Sequence, residues 1–401
     1  MLHALTNITV LDLSRVLAGP YATMTLGDYG AEVIKIEQPG RGDDSRHWGP
    51  PFTDGGQSAY FLCANRNKRS LTLNLKSEAG QTIFRRLAVQ ADVVVENFKA
   101  GGMERMGLGY ESLRTDNPGL IYCAITGYGQ TGPDRALPGY DTVIQAQGGI
   151  MSITGPTSEG TDGEPYKVGV AIVDVTAGLQ AAVAILTAMQ HRDRTGEGQY
   201  IDISLFDTQL SWLANVASGF LLSGDPPRRY GNAHGTVVPY QTFATADGHL
   251  MLAVGNDRQF ASLAEVVGEP SWSEDERFDT NPARVQFRDL LIPALAAHFR
   301  TCATDEWIQR LRAAGVPCGP VNDIPTALES PQAEHRQMVQ SVTDGNGDRI
   351  PLVGPVPKLD KTPADIFRPP PLLGEHTNEL LQEKLALSAQ EIDALRESGV
   401  V

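Results

Sequence analysis

Asp174 sits in the run Val168-Gly169-Val170-Ala171-Ile172-Val173-Asp174-Val175, directly before an apolar-rich stretch from Thr176 to Met189. A carboxylate flanked by two valines must be hydrogen-bonded, cap a helix, or take part in chemistry. As an N-cap it would accept a backbone N–H from the first turn of the following helix. As a nucleophile it must be ionised, and a helix N-terminus favours that charge even where burial opposes it. The two readings are compatible, and the local sequence does not say what the carboxylate would attack.

The elements around this residue read as an α/β core. Residues 8–13 form an expected strand, 20–29 a helix starting near Pro20, and 32–36 a second strand, which makes a β-α-β opening. A helix over Thr82–Gln90 and strands over Asp92–Val95 and Leu120–Ile125 follow. Parallel strands in such a core bind ligands beyond their C-terminal ends. The first connection, Leu13-Ser14-Arg15-Val16-Leu17-Ala18-Gly19-Pro20, lacks the GxGxxG pattern of a nicotinamide-binding fold. Glu37 alone is weak evidence for a ribose-binding acid.

Residues 226–240 are turn-rich. Expected strands 240–244 and 249–254 then flank Asp247-Gly248, a hairpin signal, and helical patterns follow at 259–267, 289–298 and 304–314. The expected division is therefore 1–225 as a large domain, 226–330 as a small one, and 331–401 as a return. In that return the Pro-rich stretch 351–371 reads as an extended connector and 389–397 as a terminal helix.

With 401 residues the chain can bury a large core, and its formal net charge of -15 argues against broad nucleic-acid binding. An anionic ligand would need a local cluster of cations or backbone donors. Cys63, Cys123, Cys302 and Cys318 are far apart and form no CxxC pair, which suits reduced thiols in a cytoplasmic protein and supplies no metal-site pattern. The N-terminal residues lack a secretion-signal pattern, and the apolar Ala181–Leu186 region is too short for a membrane span.

Several motifs, in order along the chain, resemble the class III CoA-transferases, the CaiB/BaiF or formyl-CoA transferase group. They are Leu17-Ala18-Gly19-Pro20 with Val33-Ile34-Lys35-Ile36-Glu37, Asn65-Arg66-Asn67-Lys68-Arg69-Ser70, Glu96-Asn97-Phe98, Gly107-Leu108-Gly109-Tyr110, Gly127 through Pro133, and Gly374-Glu375-His376-Thr377. The resemblance implies a Rossmann-like large domain, a smaller α/β domain and an interlocked homodimer in which both chain ends share the large domain. It makes Asp174 the nucleophile toward an acyl-CoA thioester. A mixed anhydride forms first, then an aspartyl-CoA thioester, which an acceptor carboxylate resolves; water must be excluded. Coenzyme A and acyl-CoA are substrates, with no prosthetic group and no metal. Acyl-CoA, a small carboxylic acid and a second copy of the chain are the expected partners, with neither nucleic acid nor membrane.

The same resemblance places CoA contacts at Arg15, Val16, Leu17, Ala18, Gln38, Leu73, Asn97, Phe98, Lys99 and Arg105, and substrate contacts at Arg46, Arg66, Tyr140 and Gly255. From residue chemistry, Asn97 could instead form an Asx turn, Phe98 could fill the core, and the two arginines could be surface charges. The alternatives to transfer are an alpha-methylacyl-CoA racemase-like enzyme and a non-catalytic acyl-CoA-binding protein; racemases of the family carry a histidine where this chain has Tyr140, leaving His47 and His234 as the remaining imidazole candidates. Leu17 replaces the glutamine of the formyl-CoA transferase pattern and cannot hydrogen-bond oxalate-derived groups. The Asn65–Ser70 and 225–240 regions are more similar to members using succinyl-CoA with glutarate, citramalate or malate. Residues 253–257 hold Gly255 where that pattern has a glycine-rich closing loop, and a hairpin exit accounts for it nearly as well.

Overall fold

A computed structural model describes residues 3–157 and 163–401, which divide into two compact units. Unit 1 comprises residues 1–150, 168–218 and 331–401; unit 2 comprises 151–167 and 219–330.

Unit 1 is built on six parallel strands: β1 (Thr9–Asp12), β2 (Glu32–Glu37), β3 (Lys68–Thr72), β4 (Val93–Glu96), β5 (Ile121–Thr126) and β6 (Tyr200–Ser204), in the order β3-β2-β1-β4-β5-β6. This is the doubly wound order, whose direction of progression reverses between β1 and β4. Both faces of the sheet are covered, so the inner strands are largely apolar, whereas the edge strands β3 and β6 carry charged and hydroxyl side chains. Val10, Val33, Val93, Val95 and Cys123 face the helices Ala18–Asp28 and Ile172–Thr195. Leu11, Ile34, Leu71, Val94 and Tyr122 face the other way, against Phe84 and Leu87 of the helix Glu78–Ala88.

The chain end returns to that second face: Leu380, Leu381, Ile392, Val400 and Val401 are buried in the same cluster. The Pro-rich stretch begins as a strand, Arg349–Val353, antiparallel to Val339–Thr343, and only beyond it loses regular structure. Asn67, at φ +62°, fixes this segment. Its side chain donates to Asp365 O at 2.8 Å and accepts from Phe367 N and Arg368 N at 3.0 Å.

Within the 24-residue helix Ile172–Thr195, an 18-residue stretch has a mean hydropathy of 1.7, sufficient by length and composition to cross a membrane. Its Val173, Ala177, Ala181 and Ile185 are instead buried on the sheet and on Ala18–Asp28. Gly178 permits that approach, since a Cβ there would lie 2.6 Å from Ala18 O.

In unit 2, strands β7 (Tyr240–Ala244), β8 (His249–Ala253) and β9 (Cys318–Pro320) form an antiparallel sheet in that order. Phe243, Leu250 and Leu252 pack with Phe260, Leu295, Phe299 and Trp307 from the helices Asp257–Val267, Arg288–Phe299 and Thr304–Ala313.

Candidate active site

Asp174 is the third residue of the helix Ile172–Thr195, and the residue at the N-cap position is Ala171, which has no capping side chain. The capping reading of Asp174 is thus corrected: another carboxylate does the work. Asp141, on the helix Asp141–Gln147, accepts from Val173 N at 2.8 Å and Asp174 N at 3.3 Å. Gln145 holds Asp141 in place, donating to it at 2.6 Å while its carbonyl accepts from Val168 N at 2.8 Å. With its backbone donors served from elsewhere, the Asp174 side chain is left facing a cleft.

Burial first, and the Asp141 charge second, push the Asp174 carboxyl up to about 7. Burial, and after it the charge of Asp174, likewise push the Tyr60 phenol up to about 12. Tyr60 therefore stays a neutral hydroxyl in the electrostatic neighbourhood of Asp174, with its ring edge-on to Trp48 at 5.0 Å.

The cleft measures about 210 Å³, and Asp174 lines it together with the loops after β1, β4 and β5. Gly127 and Gly139 let two of its loop segments touch, because a Cβ on Gly127 would stand 2.6 Å from the Gly139 Cα. That contact fixes Tyr140 and, one residue later, Asp141.

The 14–17 loop is held from three sides. Asn97 accepts from Arg15 N at 2.9 Å and donates to Arg15 O at 2.7 Å. Asp43 accepts from Val16 N at 3.1 Å and from Lys35 Nζ at 2.9 Å, and Lys35 Nζ also donates to Ser14 O at 3.0 Å. Below them Asp12 accepts from Lys68 Nζ at 2.9 Å and Thr23 Oγ1 at 2.7 Å, as well as from Ser14. Burial opposes the Asp12 charge, but the Lys68 and Lys35 charges with two hydroxyl donors outweigh it and hold the carboxyl at about 2. Val16 has φ +72°, a left-handed conformation costing a β-branched residue about 1–3 kcal/mol, which persists only because its surroundings impose it.

Beside the cleft, a larger cavity of about 440 Å³ opens at the C-terminal ends of β1 and β2, lined by Leu13, Ile36, Gln38, Leu73, Leu75 and Met106. Arg15 and Phe98 line both hollows. The loops after β1 and β4 thus bound the point where the strand order reverses, where such sheets bind ligands. Glu96, at the end of β4, is 3% exposed, and burial pushes it up to about 8 despite the Phe98 N–H that donates to it at 2.6 Å.

The structure brings Asp174, Arg15, Val16, Leu17, Ala18, Asn97, Phe98, Lys99 and Tyr140 together around the cleft, and Gln38 and Leu73 around the larger cavity. The Asx-turn reading of Asn97 gives way to a clamp between loops. Arg105 turns back on its own segment, its Nη1 3.5 Å from Ala100 O, and lines neither hollow.

Arg46 and Arg66 are also elsewhere, and the expectation that they meet a substrate carboxylate is corrected. Arg46 grips Glu37 at 2.7 and 2.8 Å, and Arg66 grips Asp28 at 2.6 and 2.8 Å, all four side chains being largely buried. Glu37, which also accepts from Ser70 at 2.7 Å, is equally unavailable to a ribose. Gly255 belongs to unit 2, where its N–H donates to Gln259 Oε1 at 2.8 Å in the turn opening the helix Asp257–Val267. No histidine is among the described residues lining the cleft; His47 bonds Arg41 O, and His234 receives Thr236 N and Val237 N within unit 2.

Asp141 and Tyr60 were missed because nothing local marks a carboxylate or phenol whose partner lies tens of residues away. The one signal for Asp141 in the sequence is its place beside Tyr140.

Residues 5–377 match the profile of CoA-transferase family III. The chain belongs to that family. It is 43% identical over 397 residues to the mouse (Mus musculus) succinyl-CoA:glutarate CoA-transferase, covering 99% of this chain and 90% of the relative. It is 44% identical over 384 residues to a succinate–glutarate CoA-transferase of Agrobacterium fabrum, covering 94% and 95%. Among solved structures, a CaiB/BaiF family protein of Brucella suis superposes with a TM-score of 0.85 at 43% identity, covering 96% of this chain and all (100%) of the other. As a family III CoA-transferase, the chain is an enzyme that takes CoA and acyl-CoA as substrates.

Proposed function

We propose that this enzyme transfers CoA between short dicarboxylic acids, with succinyl-CoA as donor and glutarate as the leading acceptor, through covalent catalysis at Asp174. The observation that carries the reading is a carboxylate in the first turn of a helix, lining a cleft and hydrogen-bonded by none of the described residues. Relatives at 43% and 44% identity are named for that pair of acids.

In the proposed route an ionised Asp174 oxygen attacks the thioester carbonyl, and the C–S bond breaks to release CoA thiolate and leave a mixed anhydride. The thiolate then attacks the Asp174 carboxyl carbon, freeing the donor acid and forming an aspartyl-CoA thioester. The acceptor carboxylate attacks that thioester, expelling the thiolate and restoring a mixed anhydride. Thiolate attack on the acceptor acyl carbon gives the new acyl-CoA and returns Asp174. A carboxylate with a pKa near 7 is a stronger nucleophile than an ordinary one and is still largely ionised slightly above neutrality. Tyr60, a neutral hydroxyl in the electrostatic neighbourhood of Asp174, is the nearby donor for the oxyanion.

CoA is assigned to the larger cavity, with its thioester end entering the cleft past Arg15 and Phe98. Cytoplasmic placement rests on the four free thiols. An interlocked homodimer, as in the family, would cover apolar side chains that one chain leaves exposed, including Val183 and Leu179. Mass spectrometry of the intact protein with succinyl-CoA should detect CoA bound to wild type and none bound to Asp174→Ala, with glutaryl-CoA formed only by wild type. Normal transfer by folded Asp174→Ala would overturn the route.

A further inference from the structure

We infer that Arg135 selects the acid being converted by binding its second, unreacting carboxylate; this rests on the transfer reaction proposed above. Three cations line the cleft with Asp174: Arg15, Lys99 and Arg135. Arg15 is tied to Asp44 at 3.0 Å. Arg46 and Arg66, the other arginines that the sequence suggested, are closed on Glu37 and Asp28.

Lys99 follows Phe98 on the loop after β4 and offers an ammonium point charge rather than a fork. Arg135 lies on the segment that runs through Gly139 and Tyr140 into Asp141, the residue holding the backbone of Asp174. Among the described residues Arg135 has neither an ion-pair nor a side-chain hydrogen-bond partner.

Arg135 is thus an exposed guanidinium without a protein partner on the wall of the cleft that Asp174 also lines, open to a ligand's carboxylate. A cleft of about 210 Å³ has room for a short acyl chain and not for a nucleotide. In a chain of net charge -15, a doubly charged acid needs a local cation to enter. A guanidinium supplies two parallel N–H donors that match a carboxylate, whereas an ammonium supplies a point charge. One carboxyl of the acid reacts with the Asp174-borne thioester while Arg135 holds the other. An acid of the same length with a methyl end has nothing to offer it.

The test compares glutarate with pentanoate, five-carbon acids differing at the far end, each with succinyl-CoA as the common donor so that losses on the donor side cancel in the ratio. Arg135→Ala should lower the ratio of kcat/KM for glutarate over pentanoate by about 10–100-fold, the range for a hydrogen bond to a charged group. Arg135→Lys should recover part of that ratio by restoring charge without the fork, and Lys99→Ala should leave it in place while raising the KM for CoA esters. A ratio unmoved by Arg135→Ala, or collapsed instead by Lys99→Ala, overturns the inference and leaves the transfer reaction standing. A wild type that transfers CoA to no carboxylic acid overturns the reaction and the inference with it.

Discussion

Replacing Asp174 by asparagine should abolish transfer and, at alkaline pH, make the protein more stable. Burial and Asp141 raise the Asp174 carboxyl from 3.8 to about 7 in the folded state. An acid raised in this way is favourable to folding at low pH, and that advantage is lost as pH climbs from the unfolded value through the folded one. By pH 8 wild type bears the full penalty of an ionised, half-buried carboxylate. At about 1.4 kcal/mol per pH unit the ceiling is about 4 kcal/mol at pH 8 and about 1.5 kcal/mol at pH 5. Solvent entering the open cleft and the lost charge at a helix N-terminus, worth about 0.5 kcal/mol, should reduce the net gain at pH 8 to about 2 kcal/mol. Thermal unfolding at both pH values checks this: Asp174→Asn should raise Tm at pH 8 by a few degrees and by less than half as much at pH 5. The wild-type kcat/KM should rise with pH around 7 over the same interval, since about a tenth of Asp174 is ionised at pH 6 and about nine-tenths at pH 8. A stability gain equal at the two pH values, or a rate flat from pH 6 to 8, would refute the reasoning.

Asp141→Asn keeps an oxygen for the Val173 N–H but removes the charge, so the midpoint of the pH–rate profile should move to lower pH; an unmoved midpoint would exclude that charge as a cause. Arg66→Ala leaves Asp28 buried without its partner and should cost about 3–5 kcal/mol in denaturant unfolding while the glutarate-to-pentanoate ratio stays fixed. Gly178→Ala drives a Cβ to 2.6 Å from Ala18 O and should lower stability by about 1–3 kcal/mol, measured by thermal melts. Glu96→Gln should be close to neutral in Tm only near pH 4 and increasingly stabilising from pH 6 to pH 9, because wild type loses stability as pH rises from the unfolded value of 4.5 through the folded Glu96 value of about 8.

Strand alternation and helix periodicity made β1, β2, β4 and β5 legible to within a residue or two, because each buries a continuous apolar run on local evidence alone. The edge strands were harder. Lys68–Thr72 and Tyr200–Ser204 carry charged or hydroxyl side chains that look like loop, and only pairing with β2 and β5 makes them strands. The type and place of Asp174 were likewise written in the chain: a carboxylate opening an apolar helix, in a motif that points to acyl transfer. Its charge state was not, since that depends first on the burial that the fold imposes and then on the charge of Asp141, 33 positions away in sequence. The arginines show the same division. Sequence could count Arg46, Arg66 and Arg135 as cations, but a guanidinium closed on a buried carboxylate and one open to a cleft are identical until the fold decides what stands beside each. Composition and periodicity act through neighbours along the chain, whereas pKa, pairing and access are set by neighbours in space.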